Sequence, residues 1–361
     1  MGLTGIANLD ELKAHLYAAM QLEHATIPPY LTALYSIHPG TKSDAYHIIR
    51  AVAVEEMLHL TLAANVLNAI GGTPDLTTPG FVPEFPAYLP DGETDFAVPL
   101  QRFSPDALDT FLHIERPAPA PDSGRRLVRR KRTGKGILPA AHTDADGELH
   151  FYSIGEFYQD ICRGLGTLEA EAAKAGRTLF VGDRARQITP DYYYSGGGEI
   201  VAVTDLDSAV EALRLIAEQG EGLGGGIYDH EDELSHYYRF EQLTLGRFYQ
   251  KGDTAGKPTG GEVAVDWSAV FPVKSNARLA DYAPGSQLRG AAERFNAVYA
   301  DFLQLLTRAF NGEPRLLIDA VGGMFRIKEL CYQLMRNPIG SDLTAAPTFE
   351  MPPAGTPAAT V

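Results

Sequence analysis

Two tetrads, Glu56-Met57-Leu58-His59 and Glu233-Leu234-Ser235-His236, each set a carboxylate and an imidazole three residues apart. On a helix that spacing turns both groups onto one face. Around Glu56 the same face is otherwise apolar, with Val52, Leu60, Ala63 and Leu67. A carboxylate and an imidazole on a core-facing stripe are costly to bury unless they are paired or bind a cation. Helical bundles that hold two iron or manganese ions use Glu-x-x-His on two helices and one Glu on each of two others. The tetrads alone are weak signals, so the partners decide. Glu23 and Glu218 are the remaining carboxylates, which makes the candidate metal ligands Glu23, Glu56, His59, Glu218, Glu233 and His236. Four carboxylates balance two divalent cations; without cations, the buried charges repel and their pKa values rise. Imidazole with carboxylate suits Fe, Mn or Zn better than Ca or Mg. Iron is the expected ion. His24 and Tyr30 lie beside Glu23 in the sequence and are the candidate catalytic groups, as proton relays.

The elements that must position these groups follow from periodicity and stop signals. Residues 10–37 read as a helix whose inner stripe is Leu12, Leu16, Met20, Glu23, Ile27 and Leu34, ended by His38-Pro39-Gly40. Pro28 has no N–H to give the His24 carbonyl, which predicts a kink or bulge one turn after Glu23. Residues 43–70 form a second helix, stopped by Gly71-Gly72. The short loop between them makes an antiparallel hairpin that brings Glu23 and Glu56 to the same height. A long irregular crossover over 71–150 contains one short helix at 104–114. Residues 151–175 are helical, and Ser153 with Glu156 reads as a capping box. Helices over 205–219 and 232–248 repeat the hairpin arrangement. Glu218 falls in the last turn of the first, where a carboxylate near the carbonyl ends calls for a cation. Glu233 and His236 open the second. That symmetry favours Glu218 over Glu156 as the sixth ligand, with Glu221 as the fallback if the helix runs longer.

Residues 178–181 and 199–203 read as short strands of a small β excursion. Residues 286–310 and 314–335 are two further amphipathic helices with His-free apolar faces. The expected organisation is a bundle over 10–250 that includes the crossover 71–150, a C-terminal segment 251–337 packed on it, and a loosely ordered tail over 338–361.

With 361 residues, 45% hydrophobic and 21% charged, the chain can bury a sizeable core. A net charge of −15 argues against nucleic acid or an anionic membrane as partner, because phosphates would be repelled over most of the surface. Arg125 to Arg132 is a basic octamer, but without interleaved aromatics it reads as a solvated loop. Two cysteines, Cys162 and Cys331, make no disulfide framework, and neither a signal peptide nor a membrane-spanning stretch is read, so a cytoplasmic protein is expected.

Five stretches together carry a family resemblance: 22–31 (LEHATIPPYL), 54–59 (VEEMLH), 153–158 (SIGEFY), 218–222 (EQGEG) and 235–240 (SHYYRF). The pattern resembles the ferritin-like family that contains the iminophenyl-pyruvate dimer synthase domain, from about Leu12 through the terminal helices. The resemblance implies a mainly α fold, a ferritin-like four-helix bundle with the long crossover, a small β excursion and two extra C-terminal helices. It also implies metal binding and kinship with enzymes that oxidatively couple amino-acid-derived imines. The functional expectation is therefore a dinuclear iron or manganese oxidase. It would use O2 or peroxide on a small amine, imine or amino-acid-derived substrate, with homo-oligomerisation open. The alternative is a non-catalytic metal-binding or structural bundle.

Overall fold

The computed structural model describes residues 6–41, 43–89, 96–117, 143–144, 147–148, 153–193 and 196–352. Leu9–Ser36 (α1) and Asp44–Ala69 (α2) pack along most of their lengths as an antiparallel hairpin. Asn8 starts α1 by accepting a hydrogen bond from the Glu11 N–H at 2.9 Å. Helix α1 is the centre of the molecule, since every residue from Ala18 to Tyr30 is buried. It runs on through Pro28 and Pro29 as one helix, so the expected interruption does not break it. Ile154–Lys174 (α4) and Leu206–Glu221 (α5) form the second antiparallel pair and complete the four-helix bundle, α4 against α1 and α5 against α2.

Two short helices close one side of the bundle. Pro105–Ile114 (α3) lies in the crossover and begins at Ser104, whose hydroxyl accepts from the Ala107 N–H at 3.1 Å. It packs against His236–Leu245 (α6). An aromatic trio joins both to α1, with ring centroids 4.7 Å apart for Tyr30 and Phe111, 5.4 Å for Tyr30 and Phe240, and 5.1 Å for Phe111 and Phe240. Gln287–Ala309 (α7) and Leu316–Met335 (α8) form a further hairpin, with α8 lying against α1. Among the described residues, no helix is long and apolar enough to cross a membrane. Cys162 and Cys331 are free thiols.

Among the described residues, strands form two minimal antiparallel pairs, Thr143–Asp144 (β1) with Gly147–Glu148 (β2), and Pro338–Ile339 (β3) with Leu343–Thr344 (β4). The segments 178–181 and 199–203 form no strand, and the first folds into a tight turn in which the Val181 N–H donates to the Leu179 carbonyl at 2.9 Å. A side chain ties the backbone near 199–203 to that of Ile188. Asn65 of α2 donates through Nδ2 to the carbonyls of Ile188 at 2.8 Å and Val201 at 2.9 Å, and its Oδ1 accepts from the Ile188 N–H at 2.9 Å. Asn65→Ala leaves these buried backbone groups unpaired and should cost roughly 2–4 kcal/mol in urea unfolding. A loss below about 1 kcal/mol would mean that water replaces the side chain.

The chain after Pro338 is not a loose tail up to residue 350. Tyr282 Oη donates to the Ala346 carbonyl at 2.7 Å, and Phe349 packs on Phe295 and Tyr299 with centroids 4.9 and 5.1 Å away. Its Pro-, Ala- and Thr-rich composition suggested little to bury, but one aromatic anchor suffices. The basic octamer and residues 353–361 lie outside the described residues.

Candidate metal centre

Five buried side chains converge where α1, α2, α3 and α6 meet: Glu23, Glu56, His59, Glu115 and His236. Glu23 and Glu56 face each other across the first hairpin, where Thr26 Oγ1 sits 2.7 Å from the Glu23 carbonyl and 2.9 Å from Glu56 Oε2. His59 Nδ1 is 3.2 Å from Glu23 Oε2. His236 Nδ1 is 3.0 Å from Glu56 Oε1 and 3.5 Å from Glu115 Oε2, yet is aligned for a hydrogen bond with neither. The two imidazoles stack with centroids 5.3 Å apart.

Hydroxyls and amides surround this cluster from outside. Tyr158 of α4 donates a short hydrogen bond to Glu23 Oε1, and Tyr30 donates one to Glu115 Oε1. With Thr26 on Glu56 Oε2, each carboxylate thus has one oxygen held by a hydroxyl and the other turned toward an imidazole. The outer ring nitrogens are held too. His59 Nε2 lies 2.9 Å from Gln219 Oε1, and His236 Nε2 lies 2.8 Å from Glu55 Oε2.

Charge and burial conflict here. Burial, followed by the neighbouring Glu115 charge, pushes the Glu56 carboxyl up to about 8. Burial alone would lower both histidines. Glu23 and then Glu56 raise His59 instead, and Glu115, Glu55 and Glu56 hold His236 well above the ordinary imidazole value. Burial and the adjacent carboxylates raise Tyr30 and Tyr158 well above the ordinary phenol value, so both remain donors. Burial also opposes charge on Glu55, but His236 and Arg239 outweigh it and its pKa is lowered.

Protons or a cation must therefore settle the cluster, and the donor set fits a cation. Glu56, His59 and His236 offer ligand atoms all within 4.8 Å of one another, Glu23 and Glu115 flank them, and His236 Nδ1 has no hydrogen-bond partner. Carboxylate oxygen and imidazole nitrogen are the donors that Fe, Mn and Zn accept. Glu115 also caps the C-terminal end of α3, where a carboxylate is disfavoured by the helix dipole unless a positive charge compensates it.

Of the residues expected from sequence, Glu23, Glu56, His59 and His236 come together, and Tyr30 joins them through Glu115. Glu218 and Glu233 do not. Helix α6 begins at His236, four residues later than its apolar pattern suggested. The Asp229 carboxylate ties back the N–H groups of Glu231 and Glu233, both at 2.9 Å, and keeps the preceding chain in a turn. Glu233 is left with 58% of its side chain exposed, paired to Arg239 at 3.0 Å. Helix α5 runs on to Glu221; on it Gln219 faces inward to His59 and Glu218 meets His230, 3.2 Å away. The fallback Glu221 accepts from the Gly155 N–H at 2.6 Å, so it caps α4. The Glu156 N–H is likewise used at the start of α4, on the Ser153 hydroxyl at 3.2 Å. His24 points around α1 to Tyr299 Oη at 2.5 Å and to Phe81, and burial lowers it to about 3, so it is a neutral core imidazole. A relay role for His24 has no support in that placement.

Sequence reasoning missed Glu115, Gln219 and Glu55. An acid directly following the apolar Phe111-Leu112 and Ile114 positions of a capped helix was the available signal for Glu115. Nothing comparable marks Gln219.

A glycine strap covers the outer side of the cluster. Gly197 has φ +81°, and a Cβ there would lie 2.2 Å from Glu55 Cγ. Gly197→Ala should lower stability by at least about 2 kcal/mol and weaken metal loading. Gly166→Ala, with nothing within 4 Å, should do neither. Thermal unfolding of the two variants side by side checks this.

The model of the Ferritin-like family matches residues 16–245. Dichlorochromopyrrolate synthase of Lentzea aerocolonigenes is 29% identical over 340 residues, which cover 83% of this chain and 29% of that protein. The chain thus spans under a third of that relative. The crystal structure of a ferritin-like protein from Caulobacter vibrioides aligns with TM-score 0.62 and 22% identity over 96% of this chain and 99% of that one, a likeness of fold. The family match takes in both helical pairs of the bundle and every residue of the Glu/His cluster, and on that footing the chain belongs to the Ferritin-like family.

Proposed function

We propose that the chain is a dinuclear carboxylate oxidase that uses O2 or peroxide on a small amine, imine or amino-acid-derived molecule. The observation that carries this reading is Glu56 placed between two inward-facing imidazoles and flanked by Glu23 and Glu115. Similarity to a synthase supports turnover, and the resemblance to the iminophenyl-pyruvate dimer synthase domain suggests the substrate class. Glu23, Glu56, His59, Glu115 and His236 would hold the ions, iron fitting this donor set best, with manganese or zinc as alternatives. Such ions supply Lewis acidity and, when redox-active, electrons to the oxidant. Tyr30 Oη and Tyr158 Oη hold protons against Glu115 and Glu23 and fix which oxygen of each carboxylate faces inward. Burial of all five donors keeps bulk water away from them.

Anaerobic loading with Fe(II) followed by a pulse of oxygen tests the proposal. A transient visible absorption with stoichiometric O2 uptake is expected. Bound iron that ignores oxygen would instead favour the non-catalytic metal-binding bundle, and a protein that takes up no metal would overturn both.

A further inference from the structure

We propose that the two halves of the centre are unequal by construction: the half built on His236 takes the first divalent cation, the half built on His59 takes the second, and Glu55 and Gln219 set the difference. This rests on the metal-binding reading above but not on its oxidase chemistry.

Both imidazoles present Nδ1 inward, and in both an acceptor fixes the tautomer by taking the Nε2 proton. For His236 the acceptor is Glu55 Oε2 at 2.8 Å, a carboxylate that can only accept. For His59 it is Gln219 Oε1 at 2.9 Å. The orientation of that amide follows from its other end, because Gln219 Nε2 donates to the Gly197 carbonyl at 2.8 Å. The oxygen, not the nitrogen, must therefore face His59.

The two acceptors differ in charge. A carboxylate behind a metal-binding imidazole draws on its N–H more strongly than a neutral amide and makes the opposite nitrogen a better donor. Arg239 Nη1, 2.6 Å from Glu55 Oε1, holds that carboxylate in place by its other oxygen. The inner side is closer to even: Glu115 flanks His236 Nδ1 at 3.5 Å, Glu23 flanks His59 Nδ1 at 3.2 Å, and Glu56, 3.0 Å from His236 Nδ1, lies between the two imidazoles. The outer acceptor is therefore what favours the His236 half. Glu55 and Gln219 touch no ion in this arrangement; they are positioning residues.

Anaerobic calorimetric titration of the full chain with Fe(II) should show two resolved steps. Glu55→Gln should weaken the tighter step by about 10- to 100-fold and leave the looser one within about 3-fold. Gln219→Ala should do the reverse. A merely structural role would weaken both steps together. If Glu55→Gln fails to fold, because Arg239 loses its partner, Gln219→Ala decides alone: loss confined to the looser step supports the assignment, and loss in the tighter step overturns it. Two identical steps in the unaltered protein would also overturn it while leaving the metal centre intact. No uptake of iron would end both readings, whereas two unequal steps without oxygen consumption would end only the oxidase.

Discussion

Glu115→Ala should remove most of the bound metal, and Glu233→Ala should leave the metal content unchanged. Glu115 is 3% exposed, its Oε2 lies 3.5 Å from His236 Nδ1, and its Oε1 accepts from Tyr30. Removing it deletes one of the three inner carboxylates that offset the cation charge and leaves the Tyr30 hydroxyl buried without its acceptor. Loss of a direct ligand exceeds the 10- to 100-fold in affinity that loss of an outer partner typically costs, so loading at micromolar metal should fall to well under half. Glu233, half-exposed and paired with Arg239, has no such role. Elemental analysis of both variants, with Glu56→Ala and His236→Ala as positive controls, gives the comparison directly. Equal metal in the Glu115→Ala and unaltered proteins would remove Glu115 from the centre. Loss in Glu233→Ala would instead restore the Glu-x-x-His ligand pair on α6.

The metal-free protein should lose stability as pH rises from about 6 to 9, and the loaded protein should not. Glu56 in the folded chain titrates near 8 rather than at the ordinary 4.5. Between those values the folded state keeps a proton that the unfolded state has released, so stability falls with rising pH across that window. His59 and His236, raised above 6.5, act in the same direction, their contribution being lost as pH climbs through their folded values. Glu55, whose pKa is lowered, acts in the opposite sense, but only where pH falls below about 4.5. The net loss from pH 6 to 9 should be on the order of a few kcal/mol. Bound cations replace these protons, so affinity rises over the same range and the loaded protein gains about 2.7 kcal/mol at a hundred times its Kd. Urea unfolding at several pH values, with and without anaerobic Fe(II), measures the divergence. A metal-free stability that stays flat or climbs over this range would contradict the electrostatics derived for the cluster.

Legibility in the sequence varied with distance along the chain. The α1–α2 hairpin was readable because both helices are long, largely apolar and joined by a short loop, so placing Glu23 level with Glu56 needed only helix geometry. The second pair of ligand elements was misread by small amounts with large effects. On α5 it is Gln219, not Glu218, that faces inward, and starting α6 at His236 takes Glu233 off the helix altogether. Neighbouring residues stand about 100° apart around a helix, so choosing the ligand one residue away puts it on a different face. Capping chemistry decided those boundaries: the Asp229 side chain holds the turn before α6, and Glu221 is drawn to the start of α4.

Residue types and their helical spacing determined by themselves that the chain is a mainly α bundle with Glu23, Glu56 and His59 on facing helices and a metal-capable donor set. Only the tertiary structure decided that Glu115 joins them and that Glu218 and Glu233 do not. It also decided that Tyr30, Tyr158, Gln219 and Glu55 hold the donors in place. Local periodicity specifies which way a side chain leaves its own helix. Which other helix end arrives opposite it depends on packing between segments distant in the chain, here the aromatic contact of Phe111 and Phe240 with Tyr30.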